Sequence, residues 1–413
     1  MRLWVYVIRR SLLVIPVVIG VMTVIFVLIS ALPVNERTCS YARPNGKSSP
    51  CSPTIPCPGD PAKTCTNPVY VQAVNALGLN KPIPVQWAIY MGNALTFNWG
   101  YVSQGSALGT GESGSGLPAL HGDPVVSVLG DFLPYTIELA LLSLLFILII
   151  AIPLGNLSAV YRNRPVDQAS RIMSFSGFAI PAFLLGTLVL AIAAFALGGP
   201  GAKSTICGGT STVFLDFWGS WPQPPCVPLY GTANLSPIGF PNWLQSGYIS
   251  TPTGFPTIDA AIHGQYWLSV DTLARIVLPA LVIAYGTIAV LLRFVRNSML
   301  EVMNLDYIRT ARAKGLPERR VIRKHAGRNS LNVTITVLGL TFAGFITGFP
   351  VIESVFNLWG VGRIYAYAII GNPKDWDFGL IFGSTLLFTY MVVAANIIVD
   401  ILYAYLDPRV RLG

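Results

Sequence analysis

Charge is the scarcest resource in this chain. Asp, Glu, Lys and Arg make up only 11% of its 413 residues, against roughly one quarter in soluble domains, while 53% are hydrophobic. A surface meant for water cannot be built from so few charges, so a set of soluble domains is excluded. Histidine is scarcer still: His121, His263 and His325 fall in three separate loops and form no ligand cluster. No C-x-x-C spacing occurs among the cysteines, which argues against zinc, and no catalytic serine or cysteine constellation stands out. The glycine-rich run Gly109 to Gly116 lacks the Gly-Lys-Ser/Thr ending of a phosphate loop, so the chain is not expected to bind ATP itself. The net charge of +9 comes from basic residues scattered between apolar runs, with no continuous stripe for nucleic acid.

What the chain has in abundance is long apolar runs. A bilayer core needs roughly 20 apolar residues in a helix, the form that satisfies its own backbone hydrogen bonds in lipid. Six stretches meet that need: Ser11 to Leu32, Leu133 to Val160, Ile172 to Leu197 with a kink at Pro181, Leu273 to Leu292, Leu331 to Val351, and Phe378 to Leu406. The first follows Arg9 and Arg10 as a signal peptide would, but it is long and ends without a small-x-small cleavage site, so it reads as a retained span. The fold class is therefore an all-α integral membrane protein with about six transmembrane helices and two long extracytoplasmic loops. Residues 1–33 form the inner amino terminus and first span, 34–132 the first outer loop, and 133–197 the second and third spans. Residues 198–272 form the second outer loop, and 273–413 carry spans four to six with an inner segment at 293–330.

Lysine and arginine orient the bundle. With the amino terminus inside, Arg2, Arg9 and Arg10, the cluster Arg162, Arg164 and Arg171, the basic run between Arg293 and Arg328, and Arg409 with Arg411 all face inward. These are two thirds of the 27 basic residues, so both termini are expected in the cytoplasm of a multi-pass cell-membrane protein. The cysteines agree with this arrangement. Cys39, Cys51, Cys57 and Cys65 lie in the first outer loop and Cys207 and Cys226 in the second, as structural disulfides on the oxidising side require. Cys207 with Cys226 is the favoured pair, and the pairing of the other four stays open. The two loops are rich in Gly, Pro, Ser and Thr, and they read either as docking surfaces for an outer partner or as insertions that stabilise the outer face. The sequon Asn234-Leu-Ser236 lies in the second of them.

The most informative segment is Arg293 to His325. Asn304 or Asp306 can cap a helix that Gly315 ends, and Pro317 suits the start of the next. Leu305, Ile308, Ala311 and Gly315 recur at helical spacing as one small apolar face, with Arg309, Arg312 and Lys314 around it. Such a helix can press its smooth face into a groove on another protein, or lie on anionic lipid. Within the spans, Glu138 and Asp400 are ionisable residues that line a path or pair with a neighbouring helix, and Thr334, Thr341 and Thr347 are candidate path-lining residues.

The run Asp306-Tyr307-Ile308-Arg309-Thr310-Ala311-Arg312-Ala313-Lys314-Gly315 resembles the EAA-type motif of binding-protein-dependent ABC permeases, in the form of the dipeptide/oligopeptide (B-type) subunits. Further fragments match in the same order: Leu133-Pro-Tyr-Thr-Ile-Glu-Leu139, Ile152-Pro-Leu-Gly155, Ile180-Pro-Ala-Phe183, Leu278-Pro-Ala-Leu281, Glu353-Ser-Val-Phe-Asn-Leu358 with Gly360, Val361, Gly362 and Arg363, and Asp407-Pro-Arg409. The chain departs from the general motif at Arg309-Thr310-Ala311, at His325 to Arg328, and at Trp359, where the family commonly has proline. The resemblance implies a permease subunit of an ATP-driven importer for peptides or oligosaccharides, coupled to cytoplasmic ATPases through residues 305–315. The implied partners are a second, similar permease, two ABC ATPases that carry the ATP and Mg, an extracytoplasmic solute-binding protein and the lipid bilayer, but no nucleic acid. The competing reading, an ion-coupled transporter acting alone, calls for internal repeats and midplane charges, and spans two, four and five have no central charged residue.

Overall fold

The computed structural model describes residues 3–39, 52–57, 60–102, 122–198, 252–327, 329–330, 338, 349–356, 358–369 and 376–406. Among the described residues the regular elements are helices, including one π-helical turn (Val321–Ala326), apart from one antiparallel hairpin of β1 (Thr54–Cys57) and β2 (Asp60–Thr66). The helices are α1 (Leu3–Ser30), α2 (Val34–Cys39), α3 (Pro68–Leu77), α4 (Ile83–Leu95), α5 (Val125–Val160), α6 (Pro165–Ala179), α7 (Ala182–Gly198), α8 (Pro256–Ile262), α9 (Tyr266–Met303), α10 (Asp306–Ala313), α11 (Glu318–Arg320), α12 (Phe349–Val355), α13 (Val361–Ile369) and α14 (Phe378–Leu406).

Among the described residues, three helical stretches are long and apolar enough to cross a membrane: Val125–Val160, Ile276–Met303 and Phe378–Ile401. The pair α6 and α7 makes a fourth if it is counted as one span. The apolar part of α1, Ile15–Ser30, is shorter. The expected fifth span lies mostly outside the described residues, and Thr334, Thr341 and Thr347 lie there with it. The all-α membrane class holds.

The expected third span is corrected. A kinked helix from Ile172 to Leu197 is replaced by two helices that meet at 110°. Pro181 has no N–H to continue the ladder, and its ring drives Ile180 into extended backbone, φ −101° and ψ 115°. The polar half, α6, is thereby separated from the apolar half, α7. The fourth span is also longer than its apolar run: α9 continues unbroken to Met303, so Arg293 and Arg296 sit on a rigid helix rather than in a loop.

The centre is α5 packed along α9, with Leu139, Ile147, Ala151, Ala280, Ile283, Ile288 and Leu291 buried between them and their neighbours. Lipid offers no hydrophobic incentive for helices to associate, so close approach through small residues does the work instead. A Cβ on Gly155 of α5 would lie 2.7 Å from Val295 Cγ1, so this crossing has no room for a larger residue.

Part of the segment 34–132, expected as the first outer loop, belongs to the bundle. Helix α4 packs on α1 and α14 around Met22, Ile25, Met91, Ala94 and Leu386. Trp87 Nε1 donates to Thr23 Oγ1 at 3.1 Å and Tyr390 Oη to the Ala94 carbonyl at 3.3 Å. Of the two readings of this loop, a stabilising insertion accounts for α4. Cys65, on β2, is disulfide-bonded, and the described residues include no free cysteine. The side chains of Cys39, Cys51, Cys57, Cys207 and Cys226 lie outside the described residues, as do the Gly109 to Gly116 run and the sequon at Asn234.

Candidate functional site

The carboxy-terminal end of α9 carries the segment singled out in the sequence. At Asn304 the chain leaves α9, and α10 starts at Asp306 with Leu305 as its N-cap. Neither Asn304 nor Asp306 caps through its side chain, contrary to expectation: Asn304 Nδ2 bonds back to the Leu300 carbonyl at 3.0 Å. Asp306 occupies the first turn instead, where its charge suits the helix dipole.

The direction of the apolar face is the main correction. Ile308 is fully buried and Ala311 nearly so, but against the chain's own Ala159, Met299, Val302, Val321 and Ala326. The Ile308 and Ala311 part of the smooth face is therefore not offered to a partner, while Leu305 and Gly315 at its two ends stay exposed. An eight-residue helix is too short to hold its shape in water, and burying an isoleucine, worth about 1.5–3 kcal/mol, fixes it to the ends of α5 and α9. Leu305, Asp306, Tyr307, Arg309, Thr310, Arg312, Ala313, Lys314 and Gly315 are left exposed.

Gly315 ends α10 at φ +74°, in the left-handed region. Its N–H donates to the Arg312 carbonyl at 2.9 Å and the next N–H, of Leu316, to the Ala311 carbonyl at 3.4 Å. This is the Schellman pattern, completed by Leu316 packing into the same apolar cluster as Ala311. A Cβ at Gly315 would meet nothing within 4 Å, so glycine is required here by the backbone angle and not by space.

Across this turn Arg312 Nη2 reaches Glu318 Oε1 at 2.7 Å and its Nε reaches Oε2 at 3.1 Å. Tyr307 Oη accepts from Asn329 Nδ2 at 2.7 Å. Hydrogen bonds from Arg312 hold the Glu318 carboxyl below its usual range. A depressed carboxyl stabilises the fold above the unfolded glutamate pKa and loses that contribution as pH falls through the lowered value. Because the pair is about half exposed, water screens it, and Glu318→Gln is expected to lower stability by under about 1 kcal/mol. Thermal unfolding of the purified protein across acid pH checks this: wild type and variant should converge as Glu318 is protonated.

A second feature went unseen in the sequence. Asp167, on the first turn of α6, is fully buried. Its carboxylate accepts from Arg296 Nε at 2.6 Å and Nη2 at 3.1 Å, from Arg171 Nη2 at 2.8 Å, from Ser158 Oγ at 2.7 Å and from the Asn163 N–H at 2.9 Å. The turn that permits this places Asn163 at φ +63°, a conformation asparagine tolerates better than most residues. Pro165 then opens α6, where its missing N–H costs nothing. One carboxylate thus ties the carboxy-terminal end of α5, the start of α6 and the carboxy-terminal part of α9 together. The available signal was one acidic residue among Arg162, Arg164 and Arg171.

At the opposite end, Thr136 of α5 donates to Glu353 Oε1 at 2.8 Å and accepts from the Val361 N–H at 2.9 Å, while the Arg363 N–H reaches Glu353 Oε2 at 3.1 Å. Gly362 is needed for room, since a Cβ there would lie 2.5 Å from Pro350 Cα. Trp359 packs on Phe132, ring centroids 6.0 Å apart. Glu138 accepts from the Thr257 N–H at 3.0 Å and from its hydroxyl at 3.2 Å, which ties α8 to α5 and supports the pairing role over a path-lining one.

Comparison with known proteins gives a consistent result. Residues 151–412 match the family described as binding-protein-dependent transport system inner membrane component. The chain is similar to the "Probable D,D-dipeptide transport system permease protein DdpB" of Escherichia coli, 32% identical over 363 residues that cover 86% of this chain and 90% of that one. It is also similar to the oligopeptide transport system permease protein AppB of Bacillus subtilis, 29% identical over 412 residues covering 98% and 99%. The dipeptide transport system permease protein DppB of Alkalihalophilus pseudofirmus is 31% identical over 414 residues, covering 98% and 99%.

Proposed function

We propose, because the chain belongs to the family of binding-protein-dependent transport system inner membrane components, that it is the permease subunit of a peptide importer and takes its drive from ATPases docked on the exposed face of α10. In this reading it pairs with a second permease, receives cargo from an extracytoplasmic solute-binding protein, and sits in the cell membrane with both termini inside. ATP and Mg belong to the two partner ATPases, and this chain has no ATPase site of its own. Dipeptides or oligopeptides are the cargo that the relatives' names support, and none of those names supports an oligosaccharide.

The observation that carries the coupling role is the orientation of α10. An interfacial lipid helix would turn its apolar side outward, but here Ile308 and Ala311 face inward and the polar side is free. A rigid, outward polar knob at the end of α9 suits a protein groove. Movement of an ATPase at that knob would be carried along α9 and, through Asp167, to α5 and α6. The test is affinity purification of the tagged chain from gently solubilised native membranes. Two ATPase chains and a second permease are expected with the wild type. Loss of the ATPase chains, with the second permease retained, is expected when Asp306, Arg309 and Lys314 are replaced together by alanine; recovery of the chain alone from active membranes would overturn the proposal.

A further inference from the structure

Helices α6 and α9 part at their inner ends and leave a cleft of about 420 Å3. Arg162, Arg171, Arg293 and Arg296 line it together with Phe175 and Phe178, and among the described residues no carboxylate does. Arg171 and Arg296 reach through to Asp167 behind the wall. Arg162 and Arg293 are exposed and make no ion pair with any described residue. One buried carboxylate cannot neutralise four guanidiniums, so the cleft keeps an excess of positive charge.

The apolar part of the same surface is equally specific. Phe175 and Phe178 are 73% and 63% exposed, and Ile172, one turn earlier on α6, is 69% exposed. Residues three apart stack on one helix face, so these three form a stripe running off the charged cleft. Arginine forks matched to an apolar stripe are complementary to an anionic headgroup and its acyl chain. We propose that this cleft binds the phosphate of an anionic phospholipid from the adjoining leaflet, with the chain laid along Ile172, Phe175 and Phe178. A bound lipid would brace the Asp167 junction from outside. The proposal needs only the membrane setting of α6 and α9 and not the docking role of α10, so either can fail without the other.

The test reconstitutes the intact complex in bilayer discs of phosphatidylcholine and phosphatidylglycerol in equal parts, and counts retained phosphatidylglycerol by native mass spectrometry. The variant Arg162→Gln with Arg293→Gln spares the two arginines that hold Asp167, and thermal unfolding verifies that it is folded. Its preference for phosphatidylglycerol should fall about thirtyfold, as expected for two arginines at a lipid surface. Arg162→Lys with Arg293→Lys should keep most of the preference. Equal retention by wild type and the Gln variant would overturn the proposal. So would displacement of the lipid by inorganic phosphate, which would mark a soluble-anion site, or loss of a partner subunit with lipid retention unchanged, which would mark a protein interface.

Discussion

A Gly315→Leu protein is expected to reach the membrane in near-normal amount yet import peptide about tenfold or more slowly, while the proposed partner ATPases go on hydrolysing ATP. The reasoning starts from the backbone. At φ +74° a residue with a Cβ costs roughly 1–2 kcal/mol, and the leucine side chain finds no contact to repay it. The chain relieves that strain by unwinding the last turn of α10, breaking the bonds from Gly315 and Leu316 to Arg312 and Ala311. The bundle does not depend on this turn, so folding survives, but the exposed face loses its fixed angle to α9. Gly315→Asn discriminates cause from bulk: asparagine is larger than alanine but accepts the left-handed region, so it should import better than Gly315→Ala. Labelled-peptide uptake and phosphate release, measured on the same vesicles, give the two readouts. If Leu imports normally, α10 is not the coupling element; if Asn is as damaging as Leu, the backbone argument is wrong.

The sequence made some of this legible and hid the rest for physical reasons. Helical spacing identified Ile308 and Ala311 as one face, but periodicity defines a face without saying what covers it, and the cover here includes Ala159 and Met299 on other helices. Gly315 as the stop was readable because only a residue free of a Cβ penalty sits easily at a left-handed cap. Pro181 announced a break, yet its 110° angle depends on how α6 and α7 pack against other helices. The apolar runs located α5, α9 and α14 but missed the carboxy-terminal extension of α9, whose residues Arg293 to Met303 are too polar to count as a span. The junctions were least visible. Asp167 and Arg296 lie 129 residues apart, Thr136 and Glu353 lie 217 apart, and no local pattern records a partner at that distance.

The larger loss of stability is expected from Asp167→Ala. Arg296 is only 14% exposed at its side chain, so deleting the carboxylate strands a guanidinium with little water to receive it, along with the Ser158 hydroxyl and the Asn163 N–H. Removing one partner from a buried pair costs about 3–5 kcal/mol, more than the pair itself contributes, because the surviving charge keeps its desolvation penalty. Asp167→Asn keeps the shape and should cost less. Arg296→Lys keeps the charge but loses the two-pronged fit to Oδ1 and Oδ2, and falls between them. The decisive variant is Asp167→Ala combined with Arg296→Met, which removes both charges and leaves apolar volume. If the cost is a stranded charge, the double variant recovers much of the thermal stability lost by Asp167→Ala. Its uptake should nevertheless stay low, because the polar tie from α9 to the ends of α5 and α6 is then gone and only apolar packing joins them. Stability that returns without transport would separate the two roles of this junction; transport that returns as well would mean that packing alone carries movement from α9 to the rest of the bundle.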